Sequence, residues 1–305
     1  RRQRQMCIRD SQSPVQPMGV SYNSYLILDE KVAVMDSVDA RAADEWLAKL
    51  AHELDGRRPD YLVISHMEPD HSGSILRLAE RYPEMQLVGN AKTFAMLRQF
   101  FGADAPSNDR LLEVGEGETL PLGAHTLHFM LAPMVHWPEV MVAYEETEKL
   151  LFSADAFGRF GALSRTAAAP WAPQARRYYY NIVGKYGAQV QALLKKAAAL
   201  EIKTVCPLHG PVLTGGALAE ALRLYDLWSR WQSESPDDIL LAHASIHGNT
   251  ARAAELLKQK LEAKGARVTL CDLTTTEVSY AVANAFYCGK LVLACSTYDL
   301  SLIHI

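Results

Sequence analysis

Nowhere in its 305 residues does this chain run apolar for the roughly 18 positions a membrane span requires, although 49% of its side chains are hydrophobic. No membrane span and no membrane partner are expected. Cysteine is scarce as well. The five present (Cys7, Cys206, Cys271, Cys288, Cys295) are odd in number and never spaced as CxxC. That argues against a disulfide framework or a cysteine-built metal site and fits a reducing cytoplasm. Positive charge is in deficit too, with a formal net charge of −4. Internal repeats and low-complexity tracts are missing.

The basic residues that do cluster lie at the very start. "RRQRQMCIRDS" has no hydrophobic period and resembles a translated sequencing adapter, and the closing "LSLIHI" resembles the same adapter read on the opposite strand. Residues 1–11 and 300–305 are therefore expected to be adapter-derived tails and are set aside from fold reasoning. Without residues 1–10, which carry four arginines and one aspartate, the formal charge moves from −4 to −7. An acidic chain is a poor partner for nucleic acid, and none is expected.

What remains divides in two. From residue 12 to 232 the pattern predicts a hairpin in "SYNSYLILDEKVAVMDSV" and a helix in "DARAADEWLAKLAHEL". Alternating strands and helices follow through "PDYLVIS", "SILRLAERYP", "QLVGN" and "AKTFAMLRQFFG". A strand-rich stretch ("TLHFMLAP", "EVMVAYEE", "KLLFSAD") gives way to a helix around "QVQALLKKAAALE", the strand "KTVCPLHGP" and the helix "GALAEALRLYDLWSRWQ". Sheets with helices packed outside them are expected. "SESPDD", residues 233–238, is polar, contains a proline and is expected to be a linker. From residue 239 to 299 strand, turn, helix and strand alternate, the opening of a doubly wound parallel sheet.

The densest chemistry sits at "SHMEPDHSGS", directly after the apolar run "YLVI". If that strand stays extended, His66, Glu68 and Asp70 lie two apart and point to one side, while His71 begins the turn into the next helix. Three further donors follow similar apolar runs: His136 after "TLHFMLAPMV", Asp155 ending "KLLFSAD", and His209 after "KTVCPL". Donors at strand ends can converge on one metal site without leaving an uncompensated charge in the core. The scattered His52, His125 and His128 are read instead as surface or locally satisfied groups. A second signal is "SIHGNT", between a predicted strand and helix, where backbone N–H groups, the helix N-terminus and Ser245, Asn249 and Thr250 can hold a phosphate.

The pattern H-x-E-x-D-H followed by a distant His, Asp and His resembles the metallo-β-lactamase fold as used by the flavodiiron proteins. "YNSYLILDEK", "HWPE", "YYYNIVGKYG" and "PLHGPV" look like that family as well. The resemblance implies an α/β chain: a metallo-β-lactamase-like αββα sandwich followed by an incomplete flavodoxin-like sheet. It implies two iron ions, one held by His66, Glu68 and His136, the other by Asp70, His71 and His209, with Asp155 bridging them. Hydrolases of this fold usually carry histidine where this chain has Glu68, and an iron pair passing through the ferric state gains from an extra anionic oxygen. The resemblance further implies FMN, bound by Ser245, His247, Gly248, Asn249 and Thr250, with Ser296, Thr297 and Tyr298 starting a loop around the ring. His247 departs from the small or hydroxyl residue common there. The implied activity is reduction of dioxygen to water or of nitric oxide to nitrous oxide. Electrons would come from a rubredoxin-like or other redox protein, and a head-to-tail homodimer or tetramer is implied. Zinc hydrolysis on the same fold and a non-catalytic electron-transfer module are the alternatives, against which stand Glu68 and the complete ligand set.

Overall fold

The computed structural model describes residues 18–102, 106–166 and 169–296. Cys7, Thr297, Tyr298 and the two expected adapter tails lie outside them. The first sheet holds β1 (Tyr25–Leu28), β2 (Val32–Met35), β3 (Tyr61–Val63), β4 (Gln86–Gly89) and β5 (Leu111–Glu113) in that spatial order. The expected hairpin joins β1 to β2, with Leu26 opposite Val34, and the other pairs are parallel. Helices α1 (Ala43–Leu54), α2 (Pro69–Ser72), α3 (Ile75–Arg81) and α4 (Ala91–Phe101) connect them.

A second sheet is built from β6 (Thr119–Pro121), β7 (Thr126–Leu131), β8 (Met141–Glu145), β9 (Leu150–Phe152), β10 (Thr204–Cys206) and β11 (Leu213–Thr214), in the order β11-β10-β9-β8-β7-β6. It is antiparallel except between β9 and β10, which the helices α5 (Leu163–Thr166), α6 (Trp171–Ile182) and α7 (Gly187–Ala197) connect. Helix α8 (Gly215–Ser229) closes this part.

Alternation along β2 shows how the layers form. Val32 and Val34 pack toward Leu47, Leu50 and Leu54, the apolar stripe of α1, whereas Ala33 and Met35 point the other way. There they meet Phe129, Met141, Ala143 and Phe152 of the second sheet, making the core between the sheets. The outer face of the second sheet, through Val142, Tyr144 and Leu151, buries Tyr179, Val190 and Trp228 from α6, α7 and α8. The result is an αββα sandwich, as the sequence pattern leads one to expect.

The third sheet is parallel, ordered β13-β12-β14, from β12 (Ser235–Ala244), β13 (Val268–Asp272) and β14 (Cys288–Cys295), with α9 (Asn249–Glu262) and α10 (Val278–Tyr287) between them. Its first strand lies in the middle, as in a doubly wound sheet. One expectation is corrected here. Residues 233–238 do not form a free linker, because β12 already begins at Ser235, which pairs with Cys288 before the register shifts ahead of Ile239. Glu234 anchors the join by accepting hydrogen bonds from Arg176 Nε at 2.5 Å and Trp228 Nε1 at 2.7 Å.

Candidate metal centre

The site lies at the carboxyl ends of strands from both sheets. After β3 the chain does not stay extended. Glu68 occupies the N-cap of α2, with Pro69 at its first position, so Asp70 and His71 are presented by a helical turn. The expected strand alternation therefore holds for His66 and Glu68 and fails at Asp70, because the fixed φ of Pro69 is suited to a helix start. Gly73 lets the turn pack closely, since a Cβ there would meet Ala40 N and Pro69 O at 2.7 Å. His136 comes from the loop after β7, Asp155 from the turn after β9 and His209 from the loop after β10.

All seven side chains converge, in two groups. The donor atoms of His66, Glu68, His136 and Asp155 lie within 4.8 Å of one another, and so do those of Asp70, His71 and His209. Asp155 joins the groups. Its Oδ2 lies 3.0 Å from His136 Nε2 and 3.7 Å from His66 Nε2, while its Oδ1 lies 3.1 Å from His71 Nε2 and 3.5 Å from His209 Nε2. Glu68 Oε2 is 3.0 Å from His136 Nε2 and 3.3 Å from His66 Nε2; Asp70 Oδ2 is 3.4 Å from His209 Nε2 and 3.5 Å from His71 Nε2. Every imidazole thus turns the same nitrogen inward.

Several residues with no expected role hold this arrangement. Glu139, fully buried, accepts from His66 Nδ1 at 2.7 Å and from Met67 N at 2.9 Å. His209 Nδ1 donates to the Ser21 carbonyl at 2.8 Å. Asp36, at φ 56°, accepts from Ser65 N at 2.7 Å and fixes the segment that leads to His66. Glu139 was legible as a carboxylate three positions after His136. Asp36 and Ser21 carry no spacing signal. The rings of Tyr22, Trp137 and Tyr178 pack against His209, His66 and His209 at centroid distances of 5.8, 5.2 and 5.5 Å.

Electrostatics bind the cluster as tightly as geometry does. Burial alone would depress the imidazole of His66, but the carboxylates of Glu139, Glu68 and Asp155 outweigh it and hold its pKa well above the ordinary value. His71 is likewise opposed by burial and lifted by Asp70 and Asp155 to about 9, and His136 is raised by Asp155 and Glu68 against its burial. Burial would raise Asp155 and Glu68, yet the surrounding histidines pull both below the usual carboxylate range. Burial wins at Asp70, which is raised. Asp70 Oδ1 is buried and accepts no hydrogen bond from the described residues.

Four inward nitrogens, three carboxylates and a buried oxygen without a partner fit a pair of metal ions bound by hard and borderline donors. The side chains of Glu68 and Asp70 are 19% and 21% exposed, and that of His136 11%, while the other four are almost wholly buried. The cluster is therefore least covered on the Glu68 and Asp70 side.

In the second part, Ser245 follows β12, its Oγ buried and without a hydrogen-bond partner among the described residues, and Gly248 takes φ 83° as the N-cap of α9. His247 and Asn249 are exposed at this helix start, where Thr250 is half-buried. An orphaned hydroxyl beside a 14-residue helix start fits an anion such as a phosphate. Ser296 lies just past β14, so the loop that would enclose a flavin ring falls outside the described residues.

Comparison with known proteins agrees with this geometry. Residues 20–210 match the family model described as ODP family beta lactamase. The chain is 30% identical to the rubredoxin-oxygen oxidoreductase of Megalodesulfovibrio gigas, covering 93% of this chain and 71% of that one. It is also 30% identical to the nitric oxide reductase of Moorella thermoacetica, covering 85% and 65%. Among solved structures, the flavodiiron protein from Giardia intestinalis superposes with a TM-score of 0.85 at 28% identity, covering 92% of this chain and 69% of that one. Against the first curated relatives the chain spans about half of their length.

Proposed function

The chain belongs to the flavodiiron protein family, and from that premise we propose that it is a di-iron and FMN oxidoreductase acting on dioxygen, nitric oxide or both. The observation that carries the reading is Asp155, whose two carboxylate oxygens face two separate donor groups. One iron would be held by His66, Glu68 and His136, the other by Asp70, His71 and His209, with Asp155 between them. When bound, the iron pair and the flavin supply the electrons that reduce the diatomic substrate.

The residues of the chain do the rest. Glu68, Asp70 and Asp155 bring negative charge that suits ferric as well as ferrous ions. The rings of Trp137, Tyr22 and Tyr178 screen the imidazoles from water and leave the less covered side beside Glu68 and Asp70 for a small molecule. Burial, first, and the nearby charges of Asp155, Glu68 and Asp70 hold the Tyr178 phenol well above its ordinary pKa, so it keeps its proton beside the site. Ser245, His247, Gly248, Asn249 and Thr250 would hold the FMN phosphate, and Ser296 would begin the loop around the ring, the rest of which lies outside the described residues. A rubredoxin-like or other redox protein is the proposed electron donor, and a head-to-tail homodimer or tetramer in the cytoplasm is the proposed working form.

Zinc hydrolysis on the same fold is the reading this one displaces, because Glu68 supplies an anionic oxygen where hydrolases use imidazole. Anaerobic loading with ferrous iron, elemental analysis, and parallel oxygen and nitric oxide consumption with a reduced rubredoxin test the proposal. Two irons per chain and consumption of either gas are expected. Stoichiometric zinc with negligible iron, together with turnover of a thioester or lactam, would overturn it.

A further inference from the structure

The two metal positions are not supported alike. Behind the first, Glu139 Oε1 already accepts from Met67 N at 2.9 Å and lies 2.7 Å from His66 Nδ1, while its Oε2 has no partner among the described residues. A carboxylate has no proton to give, so the His66 contact requires the proton on Nδ1 and leaves Nε2, which faces Glu68 and Asp155, as the ligand atom. Glu139 is itself held, because Asn90 Nδ2, at the N-cap of α4, donates to its backbone carbonyl at 2.6 Å. Behind the second position no carboxylate among the described residues hydrogen-bonds the outer Nδ1 of either imidazole, and the buried Asp36 and Asp39 act on His71 only through space. His209 Nδ1 meets the Ser21 carbonyl at 2.8 Å, and His71 Nδ1, though buried, has no hydrogen-bond partner among the described residues.

Resting on the di-iron reading above, we infer that Glu139 is a positioning residue that fixes His66 in its Nδ1–H tautomer and makes the His66, Glu68 and His136 position the one that keeps a ferric ion longer. A negative charge hydrogen-bonded directly to the ligand imidazole stabilises the higher metal charge more on that side than carboxylates acting on His71 through space. With iron bound and reduced flavin as the electron source, the position of Asp70, His71 and His209 would have the higher reduction potential and that of His66, Glu68 and His136 the lower. Neither reduction moves the proton shared by His66 and Glu139.

The test compares the full chain with its Glu139→Gln variant, both loaded with ferrous iron. A mediated redox titration, read by electron paramagnetic resonance of the half-reduced pair, gives the two potentials, and chelator competition gives the two affinities. In Glu139→Gln the lower potential should shift upward while the higher one shifts less. One of the two iron affinities should fall by roughly 10- to 100-fold, the usual range for loss of such a supporting group. Two irons bound with unchanged potentials, or with both potentials shifted equally, would overturn the inference and leave the di-iron reading standing. Wild-type chain that takes up no metal would sink both. Should Glu139→Gln fail to fold, the wild-type chain loaded with zinc as a diamagnetic probe still decides, by nitrogen-15 resonance of His66. A downfield proton on Nδ1 is expected, and a proton on Nε2 would refute the assignment.

Discussion

Tyr180 and Phe286 stack with ring centroids 4.1 Å apart and planes only 5° from parallel, joining α6 of the sandwich to α10 of the third sheet. Beside them Arg177, 2% exposed, hydrogen-bonds Ser279 and Glu277 and lies 3.9 Å over the Tyr280 ring. The two parts are thus held by a desolvated charge and an aromatic pair. Phe286→Ala should cost about 2 kcal/mol, less than a fully buried phenylalanine because Phe286 is only partly covered. Urea unfolding followed by circular dichroism should show a single transition broadening or splitting in the variant. An unchanged midpoint would mean that this contact does not couple the parts.

Arg177→Ala tests the polar half of the same junction. Truncation leaves the Glu277 carboxylate without its buried partner, and losses of roughly 2–5 kcal/mol are typical of such desolvated pairs. Arg177→Lys should recover only part, since an ammonium cannot reach Ser279 and Glu277 with one planar fork. Equal stability of the lysine variant and the parent would refute a geometric role for the guanidinium.

Asp155 faces both donor groups, whereas Glu68 belongs to one. Asp155→Ala should therefore lower the iron content of both positions, and Glu68→Ala mainly that of the position shared with His66 and His136. Elemental analysis after anaerobic loading and gel filtration measures this. Equal retention of about one iron per chain in both variants would count against the bridging role.

Protonation supplies a further check. Against the depressing effect of burial, neighbouring carboxylates raise His66, His136 and His71, the last to about 9. Near neutral pH the metal-free site therefore carries protons that incoming metal must displace. Adding ferrous iron to a weakly buffered anaerobic solution should acidify it, and apparent affinity should rise with pH from neutrality through about 9, where His71 loses its proton. Uptake with no proton release would show that these imidazoles are neutral before metal arrives.

The cluster was legible because its donors follow apolar runs, and a strand that ends in His or Asp presents that group at a sheet edge whatever the details of packing. Asp70 escaped strand alternation because Pro69 starts a helical turn, which changes its direction without moving it from the site. The expected linker failed for a different reason. "SESPDD" is polar in composition, yet Ser235 pairs with Cys288 and Glu234 is fixed by Arg176 and Trp228, contacts far away in sequence. Long-range partners also hid Ser21 and Asp36, whose roles rest on a backbone carbonyl and on a carboxylate that caps a distant loop. Local pattern reports which side chains are chemical; it does not report what stands behind them.

The loop after β12 gives the last prediction. If the buried Ser245 hydroxyl and the start of α9 recognise a phosphate, the chain should bind FMN more tightly than riboflavin, which has the same ring and no phosphate. Hydrogen bonds to a charged group contribute about 1.5–3 kcal/mol, so Ser245→Ala should weaken FMN by roughly 10- to 100-fold. Riboflavin should be nearly unaffected, since Ser245 acts on the missing group alone. Thr250→Ala should act in the same direction and less strongly, because Thr250 is half-buried and keeps access to water. Quenching of flavin fluorescence measures all four combinations of ligand and variant against the parent chain. A parent chain that binds the two flavins equally would show that the loop serves as an ordinary turn and that any flavin is held by its ring.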